Sequence, residues 1–257
     1  MSERDWPAND YAIGSYIQAS VADHHLSELN IAPTDKVLDI GCGNGTYTRK
    51  ILDMVPHGSV LGIDASENML KLAQEITLEY PNFSIKKDNV ISMNYTEQFD
   101  SIVSFWCLQW ATDIYESFVN IIKALKQGGT FFTLFPSGDD PFIMSYYALR
   151  DSGQFSVLSD FKPPVDYSQM DHLDKKLKDI ACKKLNVKLC KQSIVLPSLD
   201  VFRKFVNGIA FYQGQLAEPD IKRVNEAMVQ YFDNECQRKY HGEYQFNFTI
   251  YLVTGEK

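Results

Sequence analysis

The sequence predicts an α/β protein with a mostly parallel, doubly wound sheet, and two stretches of chain predict it. The first is Lys36 to Thr46, KVLDIGCGNGT, in which an apolar run at Val37, Leu38 and Ile40 leads into Gly41, Gly43 and Gly45 and then a helix start. Such a run is the mark of a strand buried on both faces, and the glycines free the following turn to bend sharply. The second is LGIDASENM, a second strand ending in Asp64, about twenty residues on, where the nucleoside-binding βαβ unit places an acid for the two hydroxyls of a ribose.

The remaining elements follow from periodicity and punctuation. Asp10 to Asn30 carries apolar residues at helical spacing and runs into Pro33. Within it Tyr11, Ser15 and Gln18 share one face, since four- and three-residue steps bring side chains into line. Thr46 to Met54 predicts a helix, Ser59 to Asp64 a strand, and Glu67 to Tyr80 an amphipathic helix with Ser66 as N-cap and Pro81 closing it. Phe83 to Lys87 predicts a third strand ending at Asp88, Asn89 and Val90. A fourth, Phe99 to Phe105, continues into Trp106-Cys-Leu-Gln-Trp110, and Ile114 to Leu125 predicts a helix. LKQGGTFFTLFP reads as a glycine turn and fifth strand. Helices are then expected over Phe142–Leu158, Met170–Leu185, Ser198–Ala210 and Pro219–Tyr240, with strands over Val187–Val195 and Gln245–Val253. Seven strands result, and the sheet is Rossmann-like.

Composition narrows the classes of function. The 257 residues, 45% hydrophobic and 23% charged, suffice for one large α/β domain or a domain with a cap. A net charge of −8 and a pI near 5.1 disfavour a nucleic-acid partner, whose phosphates call for a basic face. Lys175, Lys176, Lys178, Lys183 and Lys184 alternate with apolar residues and read as a solvated helix face. Five cysteines without a CxxC pair support neither a disulfide framework nor a metal site and favour a reducing compartment. No apolar stretch has the length of a membrane span, so a soluble cytoplasmic protein without a membrane partner is expected. Cys42 reads as a small packed side chain. His24 and His25 read as surface or satisfied residues.

The ligand of the glycine turn is a choice between a dinucleotide and S-adenosylmethionine (SAM). A dinucleotide calls for a small residue at the third fingerprint position, to bring the helix N-terminus to the pyrophosphate. Thr46 stands there. SAM has no phosphate, and its ammonium suits an acid at the strand end, a place filled by Asp39. VLDIGCGNG resembles the first motif of class I SAM-dependent methyltransferases, and GIDASENML resembles their second strand and following helix. The resemblance implies a cofactor site of Asp39, Gly41, Cys42, Gly43, Asp64, Ala65, Met69, Asp88, Asn89, Val90 and Phe105. In it Asp88 accepts from the adenine amino group, and S-adenosylhomocysteine (SAH) is the product.

The Tyr11, Ser15, Gln18 pattern, SFWCLQW after the fourth strand, LKQGG-TFFTLF, SLDVFRKFV and FNFTIYLV together resemble the juvenile-hormone-acid methyltransferase-like group, with kinship to trans-aconitate methyltransferases. The likeness runs over essentially the whole chain. It implies a single methyltransferase domain over 1–257: a lid helix at 1–32, a SAM-binding core at 33–197, a helical substrate cap at 198–242 and a last strand at 243–257. It also implies a carboxylate acceptor held by Gln18 and Trp110, with Tyr11, Ser15 and Gln109 lining the substrate site and no general base. Where the group has His-Trp this chain has Gln109-Trp110, so a titrating role at that place is not carried over. The expected substrate is a small organic or fatty-type acid. Methylation of another O, N or C centre, a silent SAM-binding module and an NAD oxidoreductase are the alternatives. Monomer and homodimer are equally compatible with the sequence.

Overall fold

A computed structural model describes residues 8–257, with side chains from Ile17 onward. In chain order the elements are α1 (Ala8–His25), β1 (Lys36–Ile40), α2 (Thr48–Met54), β2 (Ser59–Asp64), α3 (Glu67–Glu79), β3 (Phe83–Lys87), β4 (Phe99–Phe105), α4 (Ile114–Ala124) and β5 (Leu125–Pro136). There follow α5 (Pro141–Asp151), α6 (Leu173–Leu177), β6 (Lys184–Val195), α7 (Leu199–Gly208), α8 (Glu218–Tyr240) and β7 (Gln245–Glu256). The seven strands form one sheet in the order β3-β2-β1-β4-β5-β7-β6. Neighbours from β3 to β5 are parallel. Strand β7 runs antiparallel to β5, since its residue numbers fall as those of β5 rise (Lys257 N–H to Gly129 O, Ser137 N–H to Thr249 O). Because the order reverses between β1 and β4, the carboxyl ends of these two strands bound the crevice in which open α/β sheets take ligands.

The chain divides into two compact units. One comprises Ala22–Phe135, Val165–Cys190 and Tyr251–Lys257. Its core joins Leu38, Ile40, Ile63, Phe99 and Ile102 from the strands to Phe118 and Ile121 of α4, all at most 1% exposed. Helix α4 is held at its start by Asp113, whose carboxylate accepts the Glu116 N–H. Its Phe118 ring lies 5.8 Å from that of Phe131 on β5. The other unit comprises, among the described residues, 8–21, Pro136–Pro164 and Lys191–Ile250. It is an aromatic assembly: Tyr146, Phe161, Phe211 and Tyr212 meet with ring centroids 5.0–6.3 Å apart, and Phe202 stacks on Phe232 at 4.0 Å.

Two expected helices are shorter than their spacing suggests. The stretch Met170–Leu185 yields only α6, because His172 enters at φ 55° in the left-handed region. By Lys183 the chain has joined the sheet, where its N–H donates to Glu256 O. Leu185 and Val187 then alternate at the period of a strand, half-buried between exposed lysines. The stretch Phe142–Leu158 ends as a helix at Asp151, ahead of Gly153 at φ 68°. No described helix is long and apolar enough to cross a membrane.

Candidate active site

The glycine turn is built against β2. Gly41 and Cys42 both donate their N–H groups to Ile63 O, at 2.8 and 3.1 Å, which ties the start of the turn to the end of the neighbouring strand. Gly41 has φ 75°, and a Cβ there would fall 2.4 Å from Cβ and Sγ of Cys107. Position 41 is therefore closed from the side of β4 and tolerates only hydrogen. Gly43 has φ 56°, yet a Cβ there would meet nothing within 4 Å. The first glycine serves packing, while the second leaves open space above the turn.

Asp64 closes β2 and holds the turn in place. Its Oδ2 accepts the Gly43 N–H at 2.9 Å and its Oδ1 the Ser66 N–H at 2.8 Å. Burial raises its pKa, while hydrogen bonds from the Ser66, Gly43 and Ala65 backbone offset part of the rise. Asp39, at the end of β1, is 4% exposed and accepts the Thr48 hydroxyl at 2.7 Å. Its pKa is pushed up to about 7, chiefly by burial, against the Thr48 hydrogen bond and with a further rise from Asp64. Cys42 and Cys107 are also pushed up, by burial and by the same two acids, so both remain thiols.

A carboxylate that ionises with difficulty weighs on the fold. Asp39 has a folded pKa near 7 and a usual value near 4, so the folded chain holds this proton longer than the unfolded chain does. Its contribution to stability is complete below about pH 4 and is lost as the pH rises toward 7. Asp140, the buried N-cap of α5, has a pKa raised to about 6 by burial and acts with the same sign. The protein without ligand is accordingly expected to melt at higher temperature at pH 5.5 than at pH 8. Asp39→Asn, which keeps an acceptor for Thr48, is expected to gain about 1–3 kcal/mol at pH 8 and to reduce that slope. Calorimetric melts at the two pH values check both outcomes, and an unchanged slope in the variant would contradict the assignment.

At the end of β3, Asp88 organises a loop. Its Oδ1 accepts from Asn89 N–H and Ser92 Oγ, and its Oδ2 from Lys86 Nζ at 2.8 Å and, more weakly, from Tyr95 OH at 3.4 Å. Asn89 Oδ1 accepts the Ile91 and Ser92 N–H groups, and Asn120 of α4 donates to Val90 O and Ile91 O. At the end of β4, the Phe105 ring lies 4.7 Å from Tyr47 and 5.6 Å from Phe132. Trp106 follows at φ 58°, and Gln109, 5% exposed, donates from Nε2 to Trp106 O at 2.8 Å.

The residues proposed from sequence divide accordingly. Asp39, Gly41, Cys42, Gly43, Asp64, Ala65, Asp88, Asn89, Val90, Phe105, Gln109 and Trp110 all fall in the unit containing β1 to β4, at or just beyond strand ends. Met69 belongs to that unit as well, but its side chain is 2% exposed on the inner face of α3. Gln18 lies on α1 within the other unit and is half-buried. The side chains of Tyr11 and Ser15 lie outside the described residues. Sequence reasoning missed Thr48, Cys107 and Asn120. Thr48 carried a signal, being a hydroxyl at the first residue of the helix that follows the acid-bearing strand; nothing marked the other two. Among the described residues no His, Cys, Asp or Glu cluster could hold a metal ion.

Parallel strands reversing at β1/β4, an open glycine turn and an acid closing β2 define an α/β domain of the kind that takes nucleoside cofactors at the carboxyl edge of the sheet. The family model described as a methyltransferase domain matches residues 31–179, more than half of the chain. The chain belongs to this family and is a class I SAM-dependent methyltransferase domain. Among curated relatives it is 36% identical over 129 residues to the protein named methyltransferase 235L of Invertebrate iridescent virus 6, covering 50% of this chain and 48% of that one. It is 30% identical over 134 residues to malonyl-[acyl-carrier protein] O-methyltransferase 1 of Ilyobacter polytropus, covering 52% and 46%. The chain thus spans about half the length of the curated relatives it matches. Its fold is similar to that of the YcgJ protein of Bacillus subtilis, with a TM-score of 0.63 at 17% identity over 93% of this chain and 98% of that one.

Two observations test whether these residues suit SAM. The space above Gly43 is one that a Cβ would begin to fill. Asp39 and Asp64 interact with each other and with two protonated thiols, so the turn is a place for positive charge, and the cofactor carries an ammonium and a sulfonium. The residues fit the group.

Proposed function

We propose that this protein transfers a methyl group from SAM to the carboxylate of a small organic or fatty-type acid. The observation that carries the reading is the stretch after β4. Trp106 to Trp110 contains one titratable group, Cys107, and burial beside Asp64 and Asp39 keeps it a thiol. A carboxylate acceptor suits such a place, since it is already ionised at neutral pH and needs no base, whereas a phenol or an ammonium would. Two relatives whose names state an acid substrate support the choice: the malonyl-[acyl-carrier protein] enzyme, and trans-aconitate 2-methyltransferase of Rhodopseudomonas palustris, 27% identical over 53% of each chain.

When bound, SAM supplies an electrophilic methyl carbon on a positively charged sulfur. Asp64 would hold its ribose and Asp39 its ammonium, while the Gly41–Gly43 turn receives the methionine end. Ala65, Asn89, Val90 and Phe105 would complete the cofactor site, with the Met69 side chain buried in α3 behind it and Asp88 toward adenine, where an amino group would take the place of the exposed Lys86 ammonium on Oδ2. Trp110 would orient the acceptor carboxylate from a neutral donor, which aligns the nucleophile without neutralising it, and Gln18 is the second such donor that the resemblance implies. The resemblance adds Tyr11 and Ser15 to the acceptor residues; their side chains lie outside the described residues. The resemblance implies a substrate cap over 198–242.

Transfer of label from methyl-labelled SAM to a panel of carboxylic acids tests the proposal. The expected product is a base-labile ester, and at saturating SAM kcat should stay flat from about pH 6 to 9, because an acceptor with a carboxylic pKa is fully ionised there. Base-stable label found only on amines or phenols would overturn it. Trp110→Phe removes the indole donor and is expected to lower kcat by about 10- to 100-fold, the worth of a hydrogen bond to a charged group, with SAH affinity nearly unchanged. Equal turnover would remove Trp110 from the site.

A further inference from the structure

The stretch after β4 contains two local conflicts that packing alone does not explain. Trp106 has φ 58°, a left-handed conformation that bulky side chains rarely adopt. Gln109, three residues on, is 5% exposed, and its Oε1 has no hydrogen-bond partner. A buried amide oxygen left unpaired is unfavourable, and such atoms are few in native proteins. One bond links the two conflicts, because Gln109 Nε2 donates to Trp106 O at 2.8 Å while the Trp106 N–H donates to Leu134 O of β5 at 2.8 Å. The amide is thus oriented for Trp106 even though its own carbonyl gains nothing, and it completes a two-sided clamp on a strained residue.

The clamp bears on the glycine turn through Cys107. With Trp106 held in this conformation, Cβ and Sγ of Cys107 sit 2.4 Å from where a Cβ of Gly41 would be. Gly41 and Cys42 are fixed to Ile63 O, and Gly43 N–H is fixed to Asp64. Let Trp106 relax to a right-handed or extended conformation and Cys107 swings away from Gly41, loosening one wall of the turn.

We infer that Gln109 is a positioning residue that sets cofactor affinity through the backbone of Trp106, without itself touching the cofactor. The inference rests on SAM and SAH binding at the glycine turn and is independent of which acceptor is methylated. It departs from the role its sequence position suggests, since the Gln109 donor is committed within the turn and its acceptor is sealed from solvent.

A double-mutant cycle read by calorimetry with SAH tests it, because a glycine at 106 adopts a positive φ without the clamp. Gln109→Met, close in volume, is expected to raise the Kd for SAH by about 10-fold in the native background. In the Trp106→Gly background the same substitution is expected to change Kd by less than about 2-fold. A loss that Gln109 causes by packing alone would be equal in both backgrounds, and that result, or no loss in either, would overturn the inference. Trp106→Asn, which also tolerates the left-handed region, supplies the second background should the glycine variant fail to fold. A native protein that does not bind SAH at all would overturn the cofactor assignment and this inference with it, an outcome distinct from binding without coupling.

Discussion

Asp64→Ala is expected to weaken SAM and SAH binding by about 100-fold or more while leaving a folded protein. Two ribose hydroxyls donating to one buried carboxylate are charge-assisted hydrogen bonds, each worth about 1.5–3 kcal/mol, and alanine removes both. The substitution also frees the Gly43 and Ser66 N–H groups that Asp64 now accepts, so the turn loses its anchor to β2 together with the sugar's partner. Against this, a carboxylate whose pKa is raised by burial disappears, which offsets part of the cost to the fold. Calorimetry for affinity and a thermal melt for folding separate the two effects. Unchanged affinity would contradict the ribose assignment, and Asp64→Asn, with one acceptor in place of two, is expected to fall between.

Gly41→Ala and Gly43→Ala should fail in different ways although both residues have positive φ. At 41 the new Cβ lies 2.4 Å from two atoms of Cys107, so left-handed strain of about 1–2 kcal/mol adds to an overpacking cost of about 1–3 kcal/mol. For a chain of this size that is a fall in melting temperature of roughly 5–15 °C. At 43 the strain is similar but nothing is struck, so the melt should move by only a few degrees, about the strain alone. Ligand affinity should nevertheless drop, because the methyl enters the space the cofactor needs. If both variants lost stability equally, the contrast between a packing glycine and a site glycine would be wrong.

The parallel half of the fold was legible because each element carries its own punctuation. Val37 to Ile40 is a short apolar run ended by glycines; Ser66 caps α3 by accepting the Met69 N–H, as its position before Glu67 implies. The stretch after residue 165 was less so. Leu173 and Leu177 stand four apart and are buried as on a helix, but Leu185 and Val187 stand two apart as on a strand, and only the pairing of Lys183 with Glu256 decides where one period yields to the other. The acids of the site were legible by their place at strand ends. What holds them was not: Thr48 on Asp39, Cys107 against Gly41 and Asn120 on the loop after β3 are contacts between segments far apart in sequence or facing across a turn. Apart from the hydroxyl that opens α2, no local pattern records them. Trp106 gives the sharpest case, since a tryptophan in a left-handed conformation contradicts every local preference and is intelligible only once Leu134 and Gln109 are seen holding it.

The assignment of the glycine turn and Asp64 to a sulfonium nucleoside is tested most directly by the structure of crystals grown with SAH. The account predicts both ribose hydroxyls within hydrogen-bond distance of the Asp64 carboxylate, the amino-acid end over Gly43 and the ammonium toward Asp39. A ribose elsewhere, or SAH absent from this edge of the sheet at saturating concentration, would contradict it.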